Sequence, residues 1–165
     1  MLGVGLVVLT AAYAFRFVQI DRALPAAGPR TDLIRGLPVF ATLPLAVVDL
    51  LATRLAAREY PAQTVVIREG QFGDDYQLIV AGSAAVTVRG IPRRSLSPGD
   101  GFGEIALLRD IPRTATITTI EPLRTLALQR EDFLAVVTGN PTSAATAEDL
   151  VGRMLKTDPP AADPD

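Results

Sequence analysis

The chain contains no cysteine and no histidine, and Lys156 is its only lysine. Without thiol and imidazole groups, it cannot form Cys/His zinc sites or use a cysteine nucleophile or a histidine base. A P-loop is excluded because the chain has no Gly-Lys-Ser/Thr run, and a Gly-x-Ser-x-Gly nucleophile motif is also missing. We therefore expect no enzymatic activity, no catalytic residues, no metal site and no cofactor. Glu69, Asp74 and Asp75 are best explained as solvated acidic residues in turns.

The chain also lacks an excess of positive charge, since its formal net charge is −2 at pH 7. Domains that bind nucleic acids usually carry a clustered basic face. The pair Arg93 and Arg94 follows Pro92, and we expect it to lie on the solvated edge of a hairpin. The sequence therefore predicts no nucleic-acid partner.

Residues 1–20 are almost free of charge. Residues 1–15 contain no charged side chain, and Arg16 is the single charged residue before Ile20. A helix of this length would span about 30 Å, roughly the hydrocarbon core of a bilayer. Arginines follow the segment and none precedes it, which places the rest of the chain in the cytoplasm. We predict a membrane-anchoring helix over residues 1–22 and a membrane localisation. A signal peptide and a helix buried in a core remain alternatives.

The remaining sequence predicts a mainly β domain with helices at both ends. Residues 23–31 are rich in Ala, Pro and Gly and predict a linker, followed by a short helix and a longer one over residues 40–58. Short β-rich runs predict an antiparallel barrel, with strands at residues 64–68, 76–80, 84–89, 115–120 and 124–128. Two helices are predicted after it, the second ending near Leu155. We assign the domain to residues 32–156 and a disordered tail to residues 157–165.

Residues 101–117, GFGEIALLRDIPRTATI, combine features of a small anion site. Gly101 and Gly103 allow close backbone approach, and the amides at the start of the following helical turn favour negative charge. Glu104 can cap that turn or accept a hydrogen bond from a ligand hydroxyl. Arg113 offers a planar fork that suits two phosphate oxygens. A carboxylate beside a guanidinium suggests a sugar phosphate as the ligand.

Residues 102–108 and 112–117 closely resemble the phosphate-binding cassette of cyclic nucleotide-binding domains, including the nine-position step from Glu104 to Arg113. The resemblance implies a jelly-roll barrel that binds cAMP or, second in preference, cGMP. It implies that Glu104 binds the ribose 2′-hydroxyl and that Arg113 binds the cyclic phosphate. The expected ligand-binding residues are Gly103, Glu104, Ile105, Ala106, Arg113, Thr114 and Ala115.

In this family, a C-terminal helix can cover the base of the nucleotide. By resemblance, Val151, Met154 or Leu155 would form such a lid. An apolar helix face is more often plain core or a dimer contact, so those readings and a homodimer stay open.

The order of a membrane helix, a linker and this domain resembles, more weakly, the end of bacterial major facilitator transporters that carry such a domain. The sequence thus predicts a regulatory domain that couples cyclic nucleotide binding to a membrane or transporter partner. Two alternatives remain. The barrel could be a structural module that binds no nucleotide, or it could be the sensor part of a transcription regulator without its DNA-binding part.

Replacing Thr114 by alanine tests the expected contact with the base. In some family members, the corresponding hydroxyl reaches the guanine amino group. We expect Thr114→Ala to weaken cGMP binding by about 2- to 10-fold, the value of one neutral hydrogen bond, and to change cAMP binding less. Titration calorimetry with both nucleotides measures the two losses, and equal losses would contradict a base contact.

Overall fold

The computed structural model describes residues 27–157. Two helices, α1 (Ala27–Arg35) and α2 (Leu45–Arg54), precede the strands. Eight strands follow: β1 (Ala56–Tyr60), β2 (Val65–Ile67), β3 (Asp75–Ala81), β4 (Ala84–Val88), β5 (Ile91–Leu96), β6 (Gly101–Phe102), β7 (Thr116–Thr119) and β8 (Leu123–Gln129). The short helix α3 (Glu104–Arg109) lies between β6 and β7, and α4 (Arg130–Gly139) and α5 (Pro141–Thr157) end the described chain.

The strands form two four-stranded antiparallel sheets. The first has the order β1-β8-β3-β6 and the second the order β2-β7-β4-β5. Side chains alternate between the two faces of a strand, as in β4, where Ala84, Val86 and Val88 are buried and the residues between them are half-buried. The predicted mainly β fold with flanking helices, of the jelly-roll type, is confirmed.

The central strands β3 and β8 of the first sheet are largely buried on both faces, which gives the molecule two apolar clusters. Ile79, Leu123 and Phe102 of this sheet pack inside the barrel with residues of the second sheet such as Leu96. The other face of β3 and β8 packs against the helices. Its buried residues include Leu78, Leu126, Leu128, Val48, Leu51 and Val137. The helices are therefore anchored on the sheet that also carries part of the candidate site.

Three aromatic rings connect the N-terminal segment, the first sheet and α4. Tyr76 stacks on Phe133 with a centroid distance of 4.9 Å, and Phe40 meets both rings edge-on at 5.8 and 6.0 Å. Such pairs contribute about 0.5–1.5 kcal/mol beyond the apolar area that they bury. Gly101 in β6 leaves room for Tyr76, because a Cβ at this position would overlap the tyrosine hydroxyl.

Ion pairs connect α3 to the two C-terminal helices. Arg109 of α3 contacts Glu148 of α5 at 2.6 Å, and Asp110, directly after α3, contacts Arg130 of α4 at 2.6 Å. Asn140 caps the start of α5, since its Oδ1 accepts hydrogen bonds from the backbone N–H groups of residues 142 and 143. The helix that carries part of the cassette is thus tied to both helices that follow the barrel.

The structure differs from the sequence-based expectation at two places. The helix predicted over residues 40–58 ends early, and residues 56–60 form β1, which pairs with β8 from Ala56↔Ala127 to Tyr60↔Leu123. Strand pairing overrides the helix propensity of this alanine-rich stretch. Helix α1 begins at Ala27, inside the predicted linker. Arg93 and Arg94 lie on an exposed hairpin edge as expected, since β5 pairs with β4 and is an edge strand of the second sheet.

The membrane localisation predicted above is corrected. Among residues 27–157, no helix is long and apolar enough to cross a bilayer. The longest of these helices, α5, has 17 residues, a length of about 25 Å, and carries Glu148, Asp149, Arg153 and Lys156. The predicted anchoring segment, residues 1–22, and residues 158–165 of the predicted tail lie outside the described residues. No helix of the described residues supports the predicted membrane localisation, and it is not proposed again.

Replacing Phe133 by alanine tests the aromatic contact between helix and sheet. Phe133 is fully buried, so we expect Phe133→Ala to lower the free energy of unfolding by about 3–5 kcal/mol. Phe72 is 77% exposed, and Phe72→Ala should change stability by no more than about 0.5 kcal/mol. Urea denaturation measures both variants, and equal effects would rule out a central role for Phe133.

Candidate ligand-binding site

A left-handed glycine positions α3 directly after β6. Gly103 has a φ of 99° and precedes Glu104, the first residue of α3. A side chain at residue 103 would be strained, and it would also collide with Arg113, because a Cβ there would lie 2.5 Å from Nη1. Glycine is therefore required for the backbone conformation and for the close approach of the guanidinium.

Arg113 is buried, with an exposed fraction of 5%, and its guanidinium has well-defined partners. Its Nη1 donates to the Gly103 carbonyl at 2.9 Å. Its Nη2 donates to the carbonyl of Asp75 at 2.7 Å and to Oδ1 of the same residue at 2.9 Å. Gly73 borders the other side, since a Cβ there would lie 2.5 Å from Nε. The guanidinium therefore occupies a slot between two glycines.

The charge of Arg113 survives this burial. Burial lowers the pKa of Arg113, while the carboxylates of Asp75, Glu104 and Asp74 raise it. An arginine starts from so high a pKa that it stays charged near neutral pH. The site therefore presents a fixed cation, with two of its nitrogens already engaged by the protein.

Glu104 is the second buried charged group, with an exposed fraction of 4%. Its Oε2 is buried and has no hydrogen-bond partner. Burial raises the pKa of Glu104 above its usual 4.5, whereas a hydrogen bond from its own backbone and the nearby charges of Arg94 and Arg113 lower it. An unpaired buried acceptor costs about 1–3 kcal/mol, and a hydroxyl from a ligand would satisfy it.

A pocket that is partly open to solvent lies over these groups and encloses about 600 Å³, counting the space at its open mouth. All seven residues predicted to bind the ligand line it: Gly103, Glu104, Ile105, Ala106, Arg113, Thr114 and Ala115. The rest of the lining is mostly apolar: Ile67, Val86, Val88, Leu96, Phe102, Ile117 and Met154, with Arg94 as the added charge.

The three residues predicted for a lid occupy different surroundings in α5. Met154 lines the pocket. Val151 is fully buried, and Leu155 is half-buried and does not line the pocket. Of the three, only Met154 is in a position to cover a ligand.

Two residues have contacts at the site that the sequence did not indicate. Arg94 is exposed on the edge strand β5, as expected, and it also lines the pocket. It lies two residues before the buried Leu96 on β5, and this period-2 spacing is the signal that could have placed it. Asp75, expected to be a solvated turn acid, pairs with Arg113 and is 16% exposed at its side chain. The spacing of the two residues gives no signal, because they are 38 positions apart.

No group of three or more acidic side chains suited to a metal ion occurs in the part of the chain that the structure describes. The site is instead built from one buried cation, one buried carboxylate and an apolar wall. This arrangement matches an anionic ligand that also carries a hydroxyl and an apolar or aromatic part.

Comparison with known proteins assigns the chain to a family. The family model described as the cyclic nucleotide-binding domain matches residues 57–140, about half of the chain. This range includes Asp75 on β3, the whole of α3 and Arg113 in the loop after it. The chain belongs to the cyclic nucleotide-binding domain family.

Regulatory proteins are among the similar sequences and structures. The cAMP-dependent protein kinase regulatory subunit of Pyricularia oryzae is 31% identical over 121 residues, which are 72% of this chain and 31% of that protein. The Thermus thermophilus catabolite activator protein has a TM-score of 0.62 at 31% identity, covering 73% of this chain and 59% of that one. The regulatory domain of Toxoplasma gondii PKA, solved with cAMP, has a TM-score of 0.67 at 25% identity, covering 82% and 52%.

The chain is thus similar to only a part of each of these proteins, and it spans about a third of the length of the fungal regulatory subunit. None of the three is a transporter, so the predicted transporter context receives no support from them. These relatives also give no support to the membrane localisation withdrawn above.

Replacing Glu104 by glutamine tests the cost of its unpaired carboxylate. Because burial raises its pKa, the folded state binds more protons than the unfolded chain once the pH exceeds about 4.5. The contribution of Glu104 to stability is therefore present below this pH and lost as the pH rises through the folded pKa. We expect Glu104→Gln to stabilise the ligand-free chain by about 1 kcal/mol at pH 8 and by less near pH 4.

Urea denaturation across this pH range measures the difference between variant and wild type. Glu59→Gln, at an exposed position of β1, controls for the loss of one negative charge. A stability difference that stays constant with pH would contradict the assignment.

Proposed function

We propose that the chain is a non-catalytic regulatory domain that binds a cyclic nucleotide, cAMP ahead of cGMP. One observation carries the proposal. The seven cassette residues line a single pocket, in which a buried arginine is held in place and a buried carboxylate oxygen lacks a partner. The cAMP ligand of the Toxoplasma gondii relative supports this nucleotide as the first choice.

The phosphate would bind at Arg113 and α3. Hydrogen bonds to charged groups are worth about 1.5–3 kcal/mol each, and Arg113 already has its orientation fixed by Gly103 and Asp75. Little side-chain entropy would then be lost on binding. The first backbone N–H groups of α3, from Ile105 and Ala106, would add donors for the remaining phosphate oxygens.

The ribose and the base would occupy the rest of the pocket. The Oε2 atom of Glu104 would accept a hydrogen bond from the 2′-hydroxyl, which offsets the cost of its burial. The base would lie on the apolar wall that includes Val86, Val88 and Leu96. Met154 and Thr114 both line the pocket. Met154 would cover the base from α5, and Thr114 would contact it.

The response to the ligand would travel through α3. This helix carries the cassette at its start and pairs with α5 through Arg109 and Glu148 at its end. A ligand shifts such helices only by binding one arrangement more tightly than another. Contacts at Glu104 and Met154, from two different helices, would provide that difference.

Titration calorimetry of the full chain with cAMP and cGMP tests the proposal. We expect micromolar or tighter binding, and we expect Arg113→Lys, which keeps the charge and loses the fork, to weaken it by about 10- to 100-fold. Arg113→Ala would also leave Asp75 without this partner, so its fold must be checked by circular dichroism. Arg124→Ala, at an exposed position of β8, is the matched control and should bind as wild type.

No binding by a folded wild-type chain would favour the alternative, a barrel that keeps its shape as a structural or interaction module. Equal binding by wild type and Arg113→Lys would place the ligand elsewhere.

A further inference from the structure

A buried polar cluster lies behind Arg113, inside the barrel on the first sheet. Its members are Asp75 and Gln77 of β3, Thr125 of β8 and Tyr60 of β1. The Oε1 atom of Gln77 accepts hydrogen bonds from the hydroxyls of Tyr60 at 3.1 Å and Thr125 at 2.8 Å. Its Nε2 donates to Oδ2 of Asp75 at 3.2 Å. The cluster therefore forms a continuous chain of contacts that ends at the guanidinium of the candidate site.

The orientation of the Gln77 amide follows from these partners. Gln77 and Thr125 are only 2% and 1% exposed, so solvent water cannot replace a lost hydrogen bond. Burial raises the pKa of Tyr60 above its usual 10.0, which keeps its hydroxyl a donor. If the amide were flipped, its Oε1 would face the carboxylate of Asp75, and two acceptors would meet without a proton between them.

The two carboxylate oxygens of Asp75 contact different partners. Oδ2 receives the amide of Gln77 and lies 3.4 Å from Nη2 of Arg58. Oδ1 receives Nη2 of Arg113 at 2.9 Å. Because a carboxylate is planar and rigid, the contacts at Oδ2 determine where Oδ1 points. Any rotation of Asp75 would lengthen its contact with the guanidinium.

We propose that Gln77 is a positioning residue for the ligand-binding arginine. It does not line the pocket, and its hydrogen bonds go to Tyr60, Asp75 and Thr125 rather than to Arg113. It orients Asp75, and Asp75 in turn holds the Arg113 guanidinium in the orientation that an anion meets. The effect on ligand affinity rests on the proposed function, whereas the effect on Arg113 itself does not.

The first test needs no ligand and uses the Nε–Hε signal of Arg113 in nitrogen-proton NMR spectra of the full chain. Arg113→Lys, which lacks this group, assigns the signal. We expect Gln77→Met, which keeps the volume and loses the amide, to shift the signal and speed its exchange with solvent.

Tyr60→Phe is the matched control. It removes one of the two hydroxyl contacts to Oε1 and leaves the contact between Gln77 and Asp75 in place. Its Arg113 signal should stay close to that of wild type. An unchanged Arg113 signal in a folded Gln77→Met chain would overturn the proposal.

The second test measures cAMP affinity in two backgrounds. With Arg113 present, Gln77→Met should weaken binding by about 5- to 10-fold, the value of one buried hydrogen bond. With Arg113→Lys, the same substitution should have almost no further effect, because residues that act through one another are not additive. The same loss in both backgrounds would mean that Gln77 supports the fold in general, and would overturn the proposal.

The two proposals fail in different ways. A wild-type chain that binds no cyclic nucleotide ends the proposed function, and the Arg113 signal alone then decides the role of Gln77. If the chain binds cAMP but the Arg113 signal does not change when Gln77 is replaced, the proposed function stands and this inference is wrong.

Discussion

The buried ion pair between Arg113 and Asp75 is the contact on which the candidate site depends. It joins residues 38 positions apart, one at the start of β3 and one after α3. Removing two charges from water is costly unless further hydrogen bonds satisfy them. Here the carbonyls of Gly103 and Asp75 and the amide of Gln77 provide those bonds. The guanidinium that would meet the ligand is therefore positioned before any ligand arrives.

The carboxylate of Glu104 represents the opposite arrangement, a buried charge that the protein leaves partly unsatisfied. Its Oε2 has no partner, and burial raises its pKa. The surrounding molecule offsets this cost with a well-packed helix-facing core, in which Tyr76 stacks on Phe133. A fold that tolerates one unsatisfied group at a pocket gives that group a strong preference for a ligand hydroxyl.

The same local structure connects the pocket to the helices. Helix α3 begins at Glu104 in the pocket and ends at the ion pairs that Arg109 and Asp110 form with α5 and α4. Met154 of α5 lines the same pocket. A ligand in this place would touch both a short helix and the helix tied to it. This double contact provides the physical basis for a signal that leaves the barrel.

Much of the fold and of the site could be predicted from local sequence. Five strands and two C-terminal helices follow from turn residues and periodicity, which operate over a few neighbouring positions. The seven lining residues from Gly103 to Ala115 were implied by the resemblance of one compact motif to the family's cassette. Only the tertiary structure decided the rest. The alanine-rich residues of β1 became a strand because β8 pairs with them. Asp75 and Gln77 gained their partners because the first sheet brings β1, β3 and β8 together. Contacts between residues so far apart in sequence leave no local pattern. They are determined only when the strands pair in the folded sheet.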